Sequence, residues 1–405
     1  MKSKRRGRLL GMKPVHVPPW TSPPGHGTSP PRGHVPPWEE STFISCTIPL
    51  PSLTFVQEGW KEMDHQTILK EKEKIAAVES LDEWELRKKI TNPYEAIFSG
   101  SDENVFPSLA KVHPLSRSYF KMIEMLGLCN FWEKQDKKTP FISAHICEGP
   151  GGFLQHVVEH AKSLGLPIHE LYAMTLKPTK SHIPGWRRSI GFLRKHPQIQ
   201  LEYGADDTGN ILLPINQRAF CERVQGKAQL FTADGGFDFS IDYGKQEESA
   251  FPLLLASFTM GLRSLAKGGT MIIKLFDIYS DATQDLFLGS STFFKSFTIY
   301  KPATSRPCNS ERYFIGTGFL GIEAAAVWSK HLLDAQVRLP LTRLCGSPWP
   351  SQLKAAVLEQ IRWQEQLQLN AIHDTLTFTK DTMVERMEAN IAASTHWCDV
   401  FHVRR

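Results

Sequence analysis

Between residues 111 and 325 the chain alternates short apolar runs with longer stretches in which apolar residues recur every three or four positions. The runs at 141–144, 171–175, 199–203, 229–233, 270–274, 297–300 and 313–317 have the length and continuity of buried strands. Residues 154–161 and 251–265 have helical spacing, the second stretch ended by Lys267-Gly-Gly269. Strands alternating with helices predict an α/β fold with a sheet built from βαβ units, flanked by helices. Polar residues collect at the carboxyl ends of these strands, where open α/β sheets bind ligands.

The flanks read differently. Residues 1–58 open with a basic cluster (Lys2, Lys4, Arg5, Arg6, Arg8) and continue into a Pro/Gly/His tract in which His-Val-Pro-Pro-Trp occurs at 16–20 and again at 34–38. Repeated prolines remove backbone donors and favour extended chain, so a disordered arm is expected. It serves either as a solvated extension or as a tail that attracts RNA, a partner or a nuclear import receptor. Residues 59–110 are densely charged, with Ile68, Ile75, Val78, Leu81, Trp84 and Leu86 at helical spacing, and predict a helical N-terminal segment. There Thr91-Asn-Pro-Tyr-Glu95 breaks one helix and starts the next. Residues 116–126 form an amphipathic helix that carries Lys121. From 326 to 405 the pattern turns helical again, at 329–339 (stopped by Pro340), 351–369 and 376–394, a packing layer or small appendage.

Composition narrows the class. Of 405 residues 41% are hydrophobic, with 24 Phe and 10 Trp, ample for a large core. The net charge of +5 is a mild pointer to a polyanionic partner. Seven scattered cysteines without a CxxC pair argue against a disulfide framework and a zinc site, and suit a reducing interior. No apolar run approaches the ~20 residues that cross a bilayer, so an intracellular protein with no membrane contact is expected.

Candidate chemistry centres on His145-Ile-Cys-Glu-Gly-Pro-Gly-Gly-Phe153, at a strand-to-helix turn. Gly149, Gly151 and Gly152 let a flat nucleoside approach the main chain. The following helix aims free N–H groups at whatever is bound, and Glu148 is placed to accept from a ribose or an amino group. The alternative is a turn with no ligand. The spacing is neither the GxGxxG of dinucleotide folds nor the GxxxxGK[ST] of phosphate loops. Farther on, Asp234 and Lys274 end two strands and Glu311 precedes the last. With Lys121 they make two ammonium and two carboxylate groups able to meet above the sheet. Burial at the end of Met271-Ile-Ile273 lowers the pKa of Lys274 while flanking carboxylates raise it, and such a lysine can act as a general base towards a hydroxyl.

Taken in order, Ser118-Tyr-Phe-Lys121, Cys147-Glu-Gly-Pro-Gly-Gly-Phe153, Ala233-Asp-Gly-Gly236, Ile272-Ile-Lys-Leu-Phe276 and Ser305-Arg306 with Ser310-Glu-Arg-Tyr313 resemble the FtsJ-like (RrmJ-type) ribose 2′-O-methyltransferases over residues 91–320. Thr91-Asn-Pro-Tyr-Glu95, Met174-Thr-Leu-Lys-Pro178 and Asp206-Asp-Thr-Gly209 resemble the branch acting on the first nucleotides of capped mRNA, which has relatives in large DNA viruses. The resemblance implies a Rossmann-like S-adenosylmethionine (SAM)-dependent methyltransferase sheet at 111–325 with helical N- and C-terminal additions. It implies a Lys121–Asp234–Lys274–Glu311 tetrad with Lys274 as the base. It also implies a SAM site from Glu148, Gly149, Pro150, Gly151, Gly152, Phe153, Thr175, Asp206, Asp207 and Asp234. No metal is implied. Where the family often has an acidic residue for the cofactor ribose, this chain has Thr175-Leu176-Lys177, which leaves Met174 or Leu176 as apolar neighbours of the adenine.

RNA, capped mRNA in particular, is the implied partner, and Lys177, Lys180, Arg187, Arg188, Arg194 and Lys195 are candidates for its phosphates. Trp186 either stacks a base or fills the core. Three other readings stand beside this one: a ribosomal or transfer RNA 2′-O-methyltransferase, a non-catalytic RNA-binding protein on the same fold, and a nicotinamide-dependent oxidoreductase, which the missing GxGxxG disfavours.

Overall fold

The structure, a computed structural model, describes residues 14–15, 36–45, 48–57, 66–78, 81–99, 106, 108–179, 185–236 and 245–405. The N-terminal region holds β1 (Pro14–Val15), α1 (Pro37–Glu40), β2 (Phe43–Ile44), α2 (Gln66–Glu73), α3 (Leu81–Ile90) and α4 (Ser118–Leu128). The α/β region follows with β3 (Phe141–Ile146), α5 (Gly152–Ser163), β4 (Ile168–Met174), α6 (Ile190–Lys195), β5 (Ile199–Glu202), α7 (Pro214–Val224) and β6 (Ala228–Ala233). It continues through α8 (Gln246–Ser264), β7 (Leu265–Leu275), α9 (Asp281–Ser291), β8 (Phe294–Tyr300) and β9 (Arg312–Phe319). Helices α10 (Ile322–Gln336), α11 (Ser351–Thr377) and α12 (Met383–Val400) close the chain.

All seven strand runs read from the sequence are strands. They join the two short N-terminal ones in a sheet of order β1-β2-β8-β9-β7-β6-β3-β4-β5 among the described residues. The pairs β3–β4, β3–β6, β4–β5 and β6–β7 are parallel, as βαβ units require. Strand β9 departs from that pattern: it inserts between β7 and β8, antiparallel to both. The reason is the connection, since β8 and β9 are joined by a loop with no helix to carry the chain back across the sheet. The Lys267-Gly-Gly269 stretch also differs from expectation. It lies inside β7, where the register against β6 shifts between Ala228 and Leu230, and Gly268 takes a positive φ of 87°.

Side chains alternate along each strand into two cores. Phe231, Met271, Ile273 and Phe314 face the layer of α7–α11, while Leu230, Ile272, Tyr313 and Ile315 face α4, α5 and α12. The C-terminal helices therefore belong to the body. Gln364 of α11 donates to the Ile299 carbonyl at 2.7 Å, and Trp397 of α12 donates to buried Glu124 at 3.0 Å. No helix among the described residues is long and apolar enough to cross a membrane.

The N-terminal arm needs a correction. Its basic cluster and the first His-Val-Pro-Pro-Trp copy lie outside the described residues, but residues 36–45 and 48–57 pack on the body. Trp38 is buried against Tyr94 and Phe401, at ring distances of 5.7 and 5.4 Å. Ile44 pairs with Phe297 of β8, and Phe55 stacks on His331 at 4.1 Å. Prolines keep this stretch from forming long elements, yet the apolar side chains between them are enough to anchor it.

Candidate active site

The glycine turn forms because β3 must hand over to α5 within a few residues. Gly151 has a φ of 106°, open to glycine and strained for other residues. The other two glycines answer to the protein itself. A Cβ on Gly149 would meet the Gly185 carbonyl oxygen at 2.7 Å, and one on Gly152 would run into the Ser116 and Ser118 hydroxyls. Residues 185–189 fold back over the turn. Ser189 Oγ donates to the Pro150 carbonyl, and the Trp186 ring lies 3.4 Å from where a Gly151 Cβ would stand. Trp186 is thus a buried neighbour of the turn, as the core reading had it.

Glu148 is buried at the base of the turn. Its Oε1 accepts from the Leu154 N–H at 2.8 Å and so caps the start of α5. Its Oε2 is buried and has no hydrogen-bond partner. Burial pushes the carboxyl well above the usual range, and Asp234 adds to the rise. Phe153 packs fully buried beneath the turn. Thr175, just after β4, accepts from the Gly149 N–H through Oγ1 at 3.3 Å. The loop after β5 docks on this segment: the Lys177 N–H donates to the Thr208 carbonyl at 2.8 Å, and Gly209 leaves no room for a Cβ against the Thr175 carbonyl. Asp206 folds that loop, accepting from the Thr208 N–H at 3.0 Å and from Asn216 Nδ2 at 2.8 Å. The Thr208 hydroxyl bond and these contacts hold its pKa below the ordinary value. Asp207 points outward and pairs with Lys177, whose ammonium also lies over the Tyr203 ring at 4.4 Å. Arg187, Arg188, Arg194 and Lys195 are exposed, and Lys180 lies outside the described residues.

The four charged residues singled out in the sequence meet at the carboxyl ends of β6 and β7. Lys274 Nζ lies 3.2 Å from Asp234 Oδ1, and Lys121 Nζ, from α4, lies 2.6 Å from Glu311 Oε1. Tyr313 joins them, its hydroxyl donating to Asp234 Oδ1 at 2.8 Å. Electrostatics couple the two pairs. Burial pulls the Lys274 pKa down, but Asp234 and Glu311 outweigh it and the amine stays above its usual value. Burial would raise Glu311, yet Lys121 and Lys274 hold it at about 2. Gly236 keeps the space beside the amine open, since a Cβ there would stand 3.3 Å from Lys274 Nζ. The group brings two ammoniums and two carboxylates together beside a turn that carries an unpartnered buried acceptor.

Two neighbours of the four are not evident from the sequence. Tyr313 stands in the Ser310-Glu-Arg-Tyr313 motif, which does not reveal that its hydroxyl meets Asp234. Lys301 ends the run 297–300 just as Lys274 ends 271–273, so the same signal was present. It donates to Asn309 and to the Glu311 carbonyl.

The chain is 27% identical over 261 residues to the cap-specific mRNA (nucleoside-2′-O-)-methyltransferase 1 of Trypanosoma cruzi, covering 62% of this chain and 70% of that protein. It is 31% identical over 251 residues to the protein of the same name from Dictyostelium discoideum, covering 58% of this chain and 31% of that protein. The protein named "Probable methyltransferase EP424R" of African swine fever virus is 30% identical over 214 residues, half of this chain and 49% of the viral one. The chain thus spans about a third of the Dictyostelium relative and half of the viral one. Residues 114–319 match the FtsJ-like methyltransferase family, a region that holds the glycine turn, all four charged residues and every strand from β3 to β9. This chain belongs to the FtsJ-like methyltransferase family.

Proposed function

We propose that the protein is a SAM-dependent RNA ribose 2′-O-methyltransferase acting on the cap-proximal nucleotides of mRNA. The observation that carries the reaction is the meeting of Lys121, Asp234, Lys274 and Glu311 in two adjoining ion pairs. The capped substrate is inferred from relatives that bear that name.

The donor set fits SAM. Asp234 lies near Glu148 at the turn, and buried Glu148 Oε2 lacks a partner, which suits a cation rich in N–H and O–H donors. Glu148, Gly149, Pro150, Gly151, Gly152, Phe153, Thr175 and Asp234 would hold it, with Asp206 shaping the loop that carries Asp207. When bound, SAM supplies an electrophilic methyl group. The protein must then hold a ribose 2′-hydroxyl in line and take its proton. Lys274 Nζ is the acceptor for that proton, Asp234 fixes the amine, and the Lys121–Glu311 pair orients the ribose beside it. In such a transfer the amine would take the hydroxyl proton and SAM would supply the methyl group, leaving as the neutral thioether. Arg187, Arg188, Arg194 and Lys195 offer cations to the phosphates of the strand.

The test is methyl transfer from labelled SAM to matched capped and uncapped RNAs, followed by nuclease digestion to locate the label. Label on the 2′-oxygen of the first nucleotides of capped RNA supports the proposal. Transfer confined to uncapped RNA would overturn the cap assignment, and no transfer to any RNA would overturn the activity.

A further inference from the structure

Lys301 stands at the end of β8, 8% exposed, with its ammonium turned towards the start of β9. Nζ donates to the Asn309 carbonyl at 2.6 Å, to Asn309 Oδ1 at 2.6 Å and to the Glu311 carbonyl at 3.0 Å. An ammonium has three N–H donors, and here each has an acceptor. These bonds tie the end of β8 to the residue before β9 across the loop 302–310. The first half of that loop is held from elsewhere: Glu124 accepts from the Ala303 N–H at 2.6 Å, and Arg306 reaches Glu95 at 3.0 Å. Its far end, which carries Glu311, is gripped from β8 by Lys301.

We infer that Lys301 is a positioning residue of the methyl-transfer site, which holds the Glu311 backbone so that its carboxylate meets Lys121. The inference rests on the proposed 2′-O-methyltransferase reading for its kinetic consequence and on the hydrogen bonds alone for its structural one. Burial of the amine supports it. Burial pushes the Lys301 pKa down to about 7, with Arg312 and Lys121 adding to the fall and Glu311 opposing it. A methionine would fill similar volume without desolvating a charge, so the three donors are what an apolar side chain cannot replace. Lys301 also adds positive charge behind Glu311 and helps keep that carboxylate ionised. It acts through Glu311 and needs no contact with RNA or cofactor.

The experiment compares wild type with Lys301→Met and with Asn309→Ala. The second removes one of the three acceptors from an exposed residue and serves if Lys301→Met does not fold. Crystal structures and initial-rate kinetics are measured for each. In Lys301→Met the Lys121–Glu311 contact is expected to open beyond hydrogen-bond distance. The expected loss in kcat is ~10–100-fold, the scale of a small misplacement of a reacting group, with KM for SAM unchanged. Asn309→Ala is expected to show a smaller loss in the same direction. An intact Lys121–Glu311 contact in the variants overturns the inference whatever the rates, and so does a wild-type kcat. If the wild-type protein methylates no RNA, the functional reading fails, while the position of Glu311 in the variants still decides the role of Lys301.

Discussion

Asp234 holds Lys274 twice, by its carboxylate at 3.2 Å and by its own main-chain carbonyl at 2.8 Å from the same Nζ. The amine is thereby fixed at the carboxyl ends of two neighbouring parallel strands, with its pKa above the usual lysine value. At neutral pH it is an ammonium, and the form able to accept a proton grows as pH rises.

For Lys274 the expected result is a methyl-transfer rate that climbs about tenfold per pH unit on the alkaline side of neutrality, as for a base working below its pKa. Lys274→Arg keeps the charge but cannot readily give up its proton. It should lose ~10²–10⁴-fold in kcat while SAM affinity by calorimetry stays near wild type. Substantial activity in this variant would move the base to Lys121. The raised pKa also means that the Lys274–Asp234 pair contributes stability that is fully present below the unfolded lysine pKa and is lost as pH rises through the folded value.

Glu148 is a cleaner probe of the proposed cofactor site than the glycines beside it. A Cβ on Gly149 or Gly152 collides with the protein, and Gly151 has a positive φ, so alanine there should lower the melting temperature before it reports on SAM. Glu148→Gln can keep the bond to the Leu154 N–H. Because burial holds this carboxyl well above its ordinary pKa, the ionised form is disfavoured in the fold, and the penalty grows as pH rises above the unfolded value. The glutamine variant should therefore be at least as stable as wild type at pH 8 while binding SAM more weakly. Unchanged SAM affinity in calorimetry would place the cofactor elsewhere.

Glu95 locks the N-terminal segment to the loop that precedes β9. It meets Arg306 at 3.0 Å and Arg117 at 3.3 Å and accepts from Asn92 at 2.7 Å. Burial opposes its charge, but the two arginines and Asn92 outweigh it and hold its pKa below the ordinary value. The resulting stability is present above the unfolded pKa of about 4.3 and is lost as pH falls through the lower folded value. Glu95→Gln should lose ~1–3 kcal/mol in urea melts at pH 7, since both arginines are about a quarter exposed and partly screened. The difference from wild type should shrink in acid.

Trp38 tests whether the arm belongs to the body. Its burial against Tyr94 and Phe401 predicts that Trp38→Ala costs ~3–5 kcal/mol, seen as a lower melting temperature. A melting temperature equal to wild type would show that residues 36–45 contribute nothing to the fold.

Much of this molecule was legible in one dimension. Strand runs such as 229–233 and 270–274 are set by local periodicity, and a charged residue ending a buried run, Asp234 or Lys274, must emerge at the sheet edge where ligands bind. The order of those residues carried the family resemblance, because each motif is a short segment read without its neighbours. Other features depend on groups far apart in sequence. Gly149 and Gly152 look like room for a nucleoside, but residues 185–189 and 116–119 occupy the space that a Cβ would need. Asp206 and Asp207 look alike, yet one folds its own loop while the other pairs with Lys177. The antiparallel insertion of β9, the anchoring of Trp38 and the grip of Lys301 on Glu311 are all choices of partner. Periodicity fixes which face a side chain presents; only packing decides what it meets there.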